Sequence, residues 1–364
     1  MSEDYILWSP RDPLPPRGQV PFLDDVRHVM VHRAVAGEQQ FLHESAVAAH
    51  DGEIVVSFAN DPLDENSAQG VTRARRSRDG GRTWSAPEMV GPGLDGRECD
   101  NHALLHSHGG RLYAYVARWA GGMQSDGRWH PLPSLRAVQL LWDPASRSWA
   151  ETGVVIPKLL TMHGPQQLRD GGWIIAGEYG FETPAVAICP DDRFAEWWTT
   201  PITAPQGLKF PEPTIIVEED RLVAIIRHEF ALGPPQTKAL VAESFDHGRT
   251  WTTARPANFP MVPSKPFGGI LSTDQRYLVS NYPDVTSRRG CLTIAVSRPG
   301  ERAFSMLRTI RQGTPPVRLA GLCKEPQWSY PYAIEHDGSL YVTYSISKED
   351  CAMSVIPLAA LATQ

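Results

Sequence analysis

Ionisable and aromatic residues flank a short hairpin that recurs along the chain. Ahead of the first strand of these hairpins stand His43, Glu44, Asn101, His102, His163, Gln166, Glu212, Lys265 and Tyr330. After the second strand come Asn60, Asp61, Asp64, Arg118, Trp119, Glu178, Tyr179, Arg227, His228, Tyr282, Asp284, Lys348 and Glu349. Convergent polar and aromatic groups are typical of a sugar site, and histidine titrates close to the working pH of a general base. These residues are therefore candidates for binding and catalysis, provided that the fold brings both hairpin ends to one rim.

Six hairpins would position these residues. Each consists of an apolar strand, a turn that is usually rich in Asp or Gly, and a second apolar strand. They are Ser45–Phe58, Ala103–Val116, Gln166–Gly177, Thr214–Ile226, Gly269–Ser280 and Tyr332–Ser345. Asp and Gly tolerate the positive φ angles of tight turns. Because short alternating strands dominate and long amphipathic helical stretches are scarce, the pattern predicts an all-β protein.

A second motif, S-x-D-x-G-x-T-W, falls between the hairpins. It is intact at Ser77–Trp84 and Ser244–Trp251, and weaker versions occupy Trp142–Trp149, Pro190–Trp197 and Ser297–Phe304. Its Asp can accept backbone N–H bonds within a turn, and its Gly can adopt a conformation that other residues avoid, so the motif is structural. Its aromatic ends recur roughly every 50 residues, the length of a four-stranded propeller blade.

Composition excludes several classes of protein. The 364 residues are 41% apolar, which suffices for a core, and the net charge of −6 provides no basic field for nucleic acid. Five scattered cysteines without a CxxC predict no disulfide framework, and His106 and His108 have no third ligand at zinc-like spacing. We expect no cofactor and no metal. No secretory leader and no membrane-spanning run is recognisable, which predicts a cytoplasmic protein.

The two intact boxes and the six hairpins together resemble the sialidase superfamily of Asp-box, or BNR-repeat, propellers, over nearly the whole chain. The resemblance implies a six-bladed β-propeller with four-stranded antiparallel blades. It also implies a single domain over residues 1–364, in which residues 1–40 latch the last blade. The box marks the fold rather than an activity, because lyases, other glycosidases and non-enzymes also carry it.

The resemblance also implies roles for individual residues. Sialidases pair a Tyr nucleophile with a Glu, use an Asp as acid/base and clamp the substrate carboxylate with three Arg. Here Tyr330 and Glu212 match the Tyr and the Glu, Arg227 matches the second Arg, and Arg288 or Arg289 matches the third, while Asp61 stands near the acid/base position. The other residues expected to bind substrate are Glu44, Asn101, His102, Arg118, Trp119, Gln166, Tyr179, Lys265 and Tyr282.

The chemistry of these residue types is consistent with that assignment, with one departure. A phenol with a pKa near ~10 is a poor nucleophile until a neighbouring carboxylate takes its proton. Sialidases are the glycosidases that use a Tyr in this way. The Arg fork binds both oxygens of a carboxylate. However, the first Arg of the family pattern has no counterpart in Phe41-Leu42-His43-Glu44-Ser45.

Three functions follow from these residues. The first is an exo-glycosidase that acts on an acidic sugar through Tyr330, Glu212 and Asp61. The second is a lyase that splits a uronate-containing glycan with His43 or His102 as the base, together with Tyr330. The third is a non-catalytic carbohydrate-binding propeller. In each case the expected partner is a carbohydrate, with neither nucleic acid nor membrane, and the sequence carries no signal for an oligomeric state.

Overall fold

A computed structural model describes residues 4–93, 98–120, 134–230, 232 and 236–363. In these residues the chain forms six antiparallel sheets of four strands each. The first strands of successive sheets contact one another around a closed ring, from the first sheet through to the sixth and back. This arrangement is a six-bladed β-propeller, and it confirms the fold predicted from the repeated hairpins.

Blades one to three follow one another without interruption, and in each the four strands pair in sequence order. Their bounds are β2 (Phe41–His50), β3 (Glu53–Asp61), β4 (Val71–Ser77) and β5 (Glu88–Gly91); β6 (Glu98–His108), β7 (Arg111–Ala120), β8 (Arg136–Asp143) and β9 (Ser148–Pro157); and β10 (Leu159–Gln167), β11 (Trp173–Tyr179), β12 (Thr183–Cys189) and β13 (Trp198–Pro201).

Blades four and five repeat this order, whereas blade six takes its outermost strand, β1 (Arg27–His32), from the beginning of the chain. The other bounds are β14 (Pro213–Val217), β15 (Leu222–Ile226), β16 (Lys238–Ser244) and β17 (Arg255–Pro260); β18 (Phe267–Ile270), β19 (Arg276–Asn281), β20 (Cys291–Ser297) and β21 (Phe304–Gln312); and β22 (Trp328–His336), β23 (Ser339–Ile346) and β24 (Asp350–Pro357). A 3-10 turn at Leu358–Leu361 follows.

The S-x-D-x-G-x-T-W box joins the third and fourth strands of a blade. In the first box, Asp79 accepts the Ser77 hydroxyl at 2.8 Å, the Thr83 hydroxyl at 2.6 Å and the backbone N–H groups of Arg82 and Thr83 at 2.9 Å. Gly81 has a φ of 84°, which an L-residue avoids. The second box, at Ser244–Trp251, has the same bonds to Asp246 from Ser244 and Thr250. The boxes are therefore turn scaffolds, as their residue types predict.

Residues before β1 lie along the outer edges of blades four and five. Tyr5 forms a bridge with Ala257, and Trp8 forms one with Phe304. The amide oxygen of Asn258 accepts the backbone N–H groups of Leu7 and Trp8 at 2.9 and 2.8 Å. The chain then continues to β1, which pairs antiparallel with β24 and so completes the sixth blade.

The strand faces are mostly apolar and pack against the neighbouring blades, which leaves the rims to the polar residues. Four of the six first strands carry a β-bulge close to the centre of the ring: β2 between His43 and Ala46, β6 between Asp100 and Ala103, β10 on either side of His163, and β22 between Ser329 and Tyr332. A bulge redirects side chains next to a site. Among the described residues, no helix is both long enough and apolar enough to span a bilayer.

Candidate functional site

A cavity of about 330 Å³ opens at the centre of the ring, where first strands begin and second strands end. All six blades contribute to its wall. Eleven of the residues singled out from the sequence line it: His43, Glu44, Asn101, Trp119, Glu178, Glu212, Arg227, Arg288, Arg289, Tyr330 and Lys348. The bulges in β2, β6 and β22 bring His43, Glu44, Asn101 and Tyr330 to this wall.

Tyr330, Glu212 and Arg227 form a buried hydrogen-bonded cluster in this wall. The Tyr330 hydroxyl donates to Glu212 Oε1 at 2.8 Å, and Arg227 Nη1 donates to the Tyr330 oxygen at 3.0 Å and to Glu212 Oε2 at 2.8 Å. The backbone fixes Arg227 and Glu212 relative to each other, because the Arg227 N–H donates to the Glu212 carbonyl at 3.0 Å. Burial, followed by the charge of Glu212, raises the pKa of Tyr330 well above its ordinary value. The resting cluster therefore holds a neutral phenol beside a carboxylate that can accept its proton.

The His43 ring packs on Tyr330, with the two ring centroids 3.9 Å apart. His43 Nδ1 is buried, and no described residue supplies it with a hydrogen-bond partner. Burial, followed by the positive charges of Lys348 and Arg289, lowers the pKa of His43 well below its ordinary value. The imidazole is thus neutral and faces the same reaction centre as the phenol.

Arg289 and Arg288 lie side by side in sequence but in different environments. Arg289 is 4% exposed, donates to Gln327 and to the Pro263 carbonyl at 3.0 Å each, and places its guanidinium carbon 5.5 Å from the Tyr330 ring centroid. Its Nε is buried and unpaired among the described residues. The Arg288 side chain is 42% exposed and lies 3.6 Å from Glu229 and from Glu325 at the mouth of the cavity.

At the beginning of blade one, where the sialidase pattern has an Arg, the structure instead has a carboxyl group close to a histidine ring. Glu44 lies 2.6 Å from His102 Nδ1, and the other ring nitrogen of His102 donates to the Thr161 carbonyl. Burial acts to raise the pKa of Glu44, but His102, Lys265 and Lys348 outweigh it and the net pKa is lowered. His102 itself is buried behind the cavity wall, where its Nδ1 also lies 2.9 Å from Asn101 Oδ1, so it acts on the cavity through Glu44 and Asn101.

Asp61 does not lie in the cavity wall, contrary to its expected position as acid/base. Its Oδ1 accepts the backbone N–H and the hydroxyl of Ser67, both at 2.9 Å, and its Oδ2 is buried without a partner among the described residues. Burial raises its pKa to about 7. Because β3 ends at Asp61, its carboxyl turns into the following loop and holds that loop in place. Asp64, which also follows β3, accepts the backbone N–H groups of Leu322 and Cys323.

Five further predicted binding residues also lie outside the cavity wall. Arg118 pairs with Asp100 and Glu151, and Gln166 donates to the Ile215 carbonyl at 3.1 Å, which ties blade three to blade four. The Tyr282 hydroxyl donates to the Pro15 carbonyl, and Tyr179 is 39% exposed, below the ammonium group of Lys158. Lys265 donates to the Pro331 carbonyl, close to two aromatic rings. Each of these side chains is held by a neighbour in its own surroundings.

Several residues of the wall were not chosen from the sequence: Glu65, Asn66, Leu160, Phe181, Lys209, Phe210, Glu229, Leu322, Cys323, Lys324 and Glu325. They lie mainly on loops, whose paths strand periodicity does not predict. Within the described part of the chain, no group of three or more His, Cys, Asp or Glu side chains is arranged to hold a metal ion.

Residues with positive φ are concentrated in this wall. Among the described non-glycine residues, fifteen have positive φ, and six of these line the cavity: Glu44, Asn66, Phe181, Phe210, Tyr330 and Lys348. Tyr330 has a φ of 57° and Glu44 one of 43°. Such conformations cost of order 1–3 kcal/mol each and persist where the surroundings impose them, often at functional sites. The wall is therefore held in shape by its surroundings rather than by local preference.

Solved structures with the same fold include several sialidases. An intramolecular trans-sialidase from Ruminococcus gnavus in complex with oseltamivir carboxylate is 12% identical, with a TM-score of 0.66 over 92% of this chain and 98% of that one. A Trypanosoma rangeli sialidase, described as a covalent intermediate with 2,3-difluorosialic acid, is 13% identical, with a TM-score of 0.65 over 94% of this chain and 60% of that one.

A protein of unknown function from Dyadobacter fermentans also has this fold, at 17% identity and a TM-score of 0.68 over 92% of this chain and 100% of that one. No curated protein matches the chain. The model of the BNR repeat-like domain matches residues 56–342, which is more than half of the chain. The chain therefore belongs to the BNR repeat-like domain family and has the six-bladed propeller fold of the sialidases.

Proposed function

We propose that this protein is a glycoside hydrolase of sialidase type that removes a terminal acidic sugar through a covalent intermediate on Tyr330. The observation that carries the proposal is the buried cluster of Tyr330, Glu212 and Arg227 in the cavity wall. A binding scaffold has no need to place a phenol against a carboxylate at this depth. The sialidase fold of the neighbours and the BNR family match are consistent with it.

The geometry supports a nucleophile activated during attack. Since the pKa of Tyr330 is raised by burial, the phenol keeps its proton until its oxygen bonds to the anomeric carbon. Glu212 Oε1, at 2.8 Å, accepts that proton. Arg227 donates to both oxygens and stabilises the negative charge that moves between them. Water then displaces the phenol, which recovers its proton from Glu212.

An acidic sugar is favoured by the cations that line the cavity. The Nε atoms of Arg227 and Arg289 are buried and have no acceptor among the described residues. Lys348 lies over the Phe41 ring, beside the position where the family pattern has its first Arg. We infer that Arg227, Arg289 and Lys348 together hold the substrate carboxylate. A phenol nucleophile suits such a substrate because an anionic one would be repelled by that carboxylate.

The test is a panel of fluorogenic aryl glycosides of acidic sugars, assayed with the wild type, Tyr330→Phe and Glu212→Gln. Each variant is expected to lower kcat/KM by at least ~10³-fold, or about 4 kcal/mol at the transition state. With a fluorinated acidic glycosyl fluoride, the wild type should gain one glycosyl mass on the peptide that contains Tyr330. The control is Tyr282→Phe, since that hydroxyl donates to the Pro15 carbonyl and Tyr282 does not line the cavity. Turnover by Tyr330→Phe at the wild-type rate would eliminate the nucleophile.

A second candidate is a lyase acting on a uronate-containing glycan. It is favoured by the neutral His43 ring on Tyr330 and by its Nδ1, which has no partner among the described residues. A neutral imidazole can take the proton next to a carboxylate, while Tyr330 protonates the leaving oxygen. The lyase creates an unsaturated product that absorbs ultraviolet light, and the hydrolase does not. Binding of acidic oligosaccharides without either product would instead identify a non-catalytic propeller.

A further inference from the structure

One carboxyl group in the cavity wall differs from all the others. Glu178 is the penultimate residue of β11, where it pairs with Leu160 and Pro184. Its side chain lines the cavity and the residue is 0% exposed. Neither of its carboxyl oxygens has a hydrogen-bond partner among the described residues. A carboxyl buried in this way is poorly solvated by the protein and is available to a ligand that enters the cavity.

The other glutamates of the wall each lie within ion-pair distance of a basic side chain. The pairs are Glu44 with His102, Glu65 with Lys348, Glu212 and Glu229 with Arg227, and Glu325 with Arg288. Within the described part of the chain, Glu178 has no such pair. Each of these five carboxyl groups is already engaged by a basic side chain, which makes it less suited than Glu178 to bond with a ligand in the cavity.

Burial, followed by the negative charge of Glu212, raises the pKa of Glu178 well above its ordinary value. The charge of Arg227 acts in the opposite direction without cancelling the other two effects. Glu178 therefore keeps its proton to a higher pH than an ordinary carboxyl group does. This is the protonation state that a general acid needs, and two carboxyls held in different states are the usual basis for acid and base assignments in glycosidases.

We propose that Glu178 is the proton donor to the leaving group, in the place expected for Asp61. The inference rests on the proposed hydrolase function. As Tyr330 attacks, the bond between the anomeric carbon and the leaving oxygen breaks, the Glu178 proton moves to that oxygen and the Tyr330 proton moves to Glu212. In the second step, water bonds to the anomeric carbon and gives a proton to Glu178. The phenol leaves and takes its proton back from Glu212, so both residues return to their starting states.

The test compares Glu178→Gln with the wild type on two kinds of substrate: oligosaccharides, whose leaving groups need a proton, and activated aryl glycosides, whose leaving groups do not. Glu178→Gln should lower kcat/KM on oligosaccharides by ~10²–10⁴-fold and on activated aryl glycosides by less than ~10-fold. The wild type is expected to show a decline in kcat/KM at alkaline pH, and Glu178→Gln should not show it. With Glu178→Ala, sodium azide should restore turnover of the activated glycoside and yield a glycosyl azide, because azide needs no base.

The matched control is Asp61→Asn, which removes another buried carboxyl with a raised pKa but outside the cavity wall. It should keep the wild-type dependence on the leaving group. Glutamine has the shape and charge of a protonated glutamate, so Glu178→Gln should unfold at the wild-type temperature. A large drop in that temperature, or equal losses on both kinds of substrate, would overturn the assignment. Unchanged activity in Tyr330→Phe would refute the hydrolase itself, whereas an inactive Tyr330→Phe alongside a normal Glu178→Gln would refute only this role.

Discussion

The Asp61 carboxyl should make the stability of the protein depend on pH. Its Oδ2 is buried without a partner among the described residues, and burial raises its pKa from 3.8 to about 7. The folded protein then holds this proton more tightly than the unfolded chain does. The contribution to stability is complete below about pH 4, declines as the pH rises and is lost above about pH 7. At about 1.4 kcal/mol for each tenfold change in proton affinity, the loss is about 4 kcal/mol.

Asp61→Asn should remove this dependence. The amide oxygen of asparagine can still accept both bonds from Ser67, and its NH₂ group replaces the protonated oxygen. The variant should therefore exceed the wild type by about 2 kcal/mol near pH 5 and by about 4 kcal/mol near pH 8. The measurement is the free energy of unfolding in urea across this range, taken for both proteins in the same buffers.

Asp143→Asn is the control for loss of a carboxylate. Asp143 is exposed, and its pKa is lowered by the Ser146 hydroxyl and nearby backbone N–H groups. It stays ionised over the whole range, so its replacement should change stability by the same amount at every pH. If Asp61→Asn also differs from the wild type by the same amount at every pH, Asp61 does not titrate in this pH range. Burial then does not raise its pKa.

Two further predictions test the scaffold and the cavity. Gly81→Ala should destabilise the first blade by about 2–4 kcal/mol in urea unfolding, because φ is 84° and a new Cβ would collide with Met353 Cε. Gly52→Ala, with φ 72° and open space around it, should lower the free energy of unfolding by only about 1 kcal/mol. Equal losses in the two variants would show that crowding at Gly81 is absent. Lys348→Met should raise KM for an acidic glycoside about tenfold with kcat little changed, since it removes a charge that binds substrate and transition state alike. A lower kcat at constant KM would exclude that role for Lys348. Glu65→Gln, which removes the ion-pair partner of Lys348, is measured alongside it.

The fold could be predicted because its signals are local. A hairpin turn such as Asp51-Gly52 and a box such as Ser77–Trp84 satisfy their own hydrogen bonds within a few residues, so the sequence at that point is sufficient. Their repetition then predicts the number of blades. The closed ring also follows from the repeats, because each blade buries its apolar faces against the next.

The site was predicted only in part, because it depends on bulges and loops. Tyr330, Glu212 and Arg227 do meet, since each stands at the end of a recognisable strand. Asp61 was placed wrongly in the cavity because no periodic signal shows that β3 ends in a loop that captures its carboxyl. Glu178 was placed at the rim but given no particular role, because what distinguishes it, the lack of a basic partner among the described residues, is a property of three-dimensional neighbours.

The pairing of β1 with β24 has a consequence for how the protein is made. Met30 lies beside Ala352, so the outer strand of blade six has no partner until β24 has been synthesised. Tyr330 lies on β22 in that same blade, and Glu212 directly precedes β14 in blade four. A nascent chain can thus build five blades before it can hold Tyr330 against Glu212. The buried cluster of Tyr330, Glu212 and Arg227 is therefore assembled only once strands of blade six have been made.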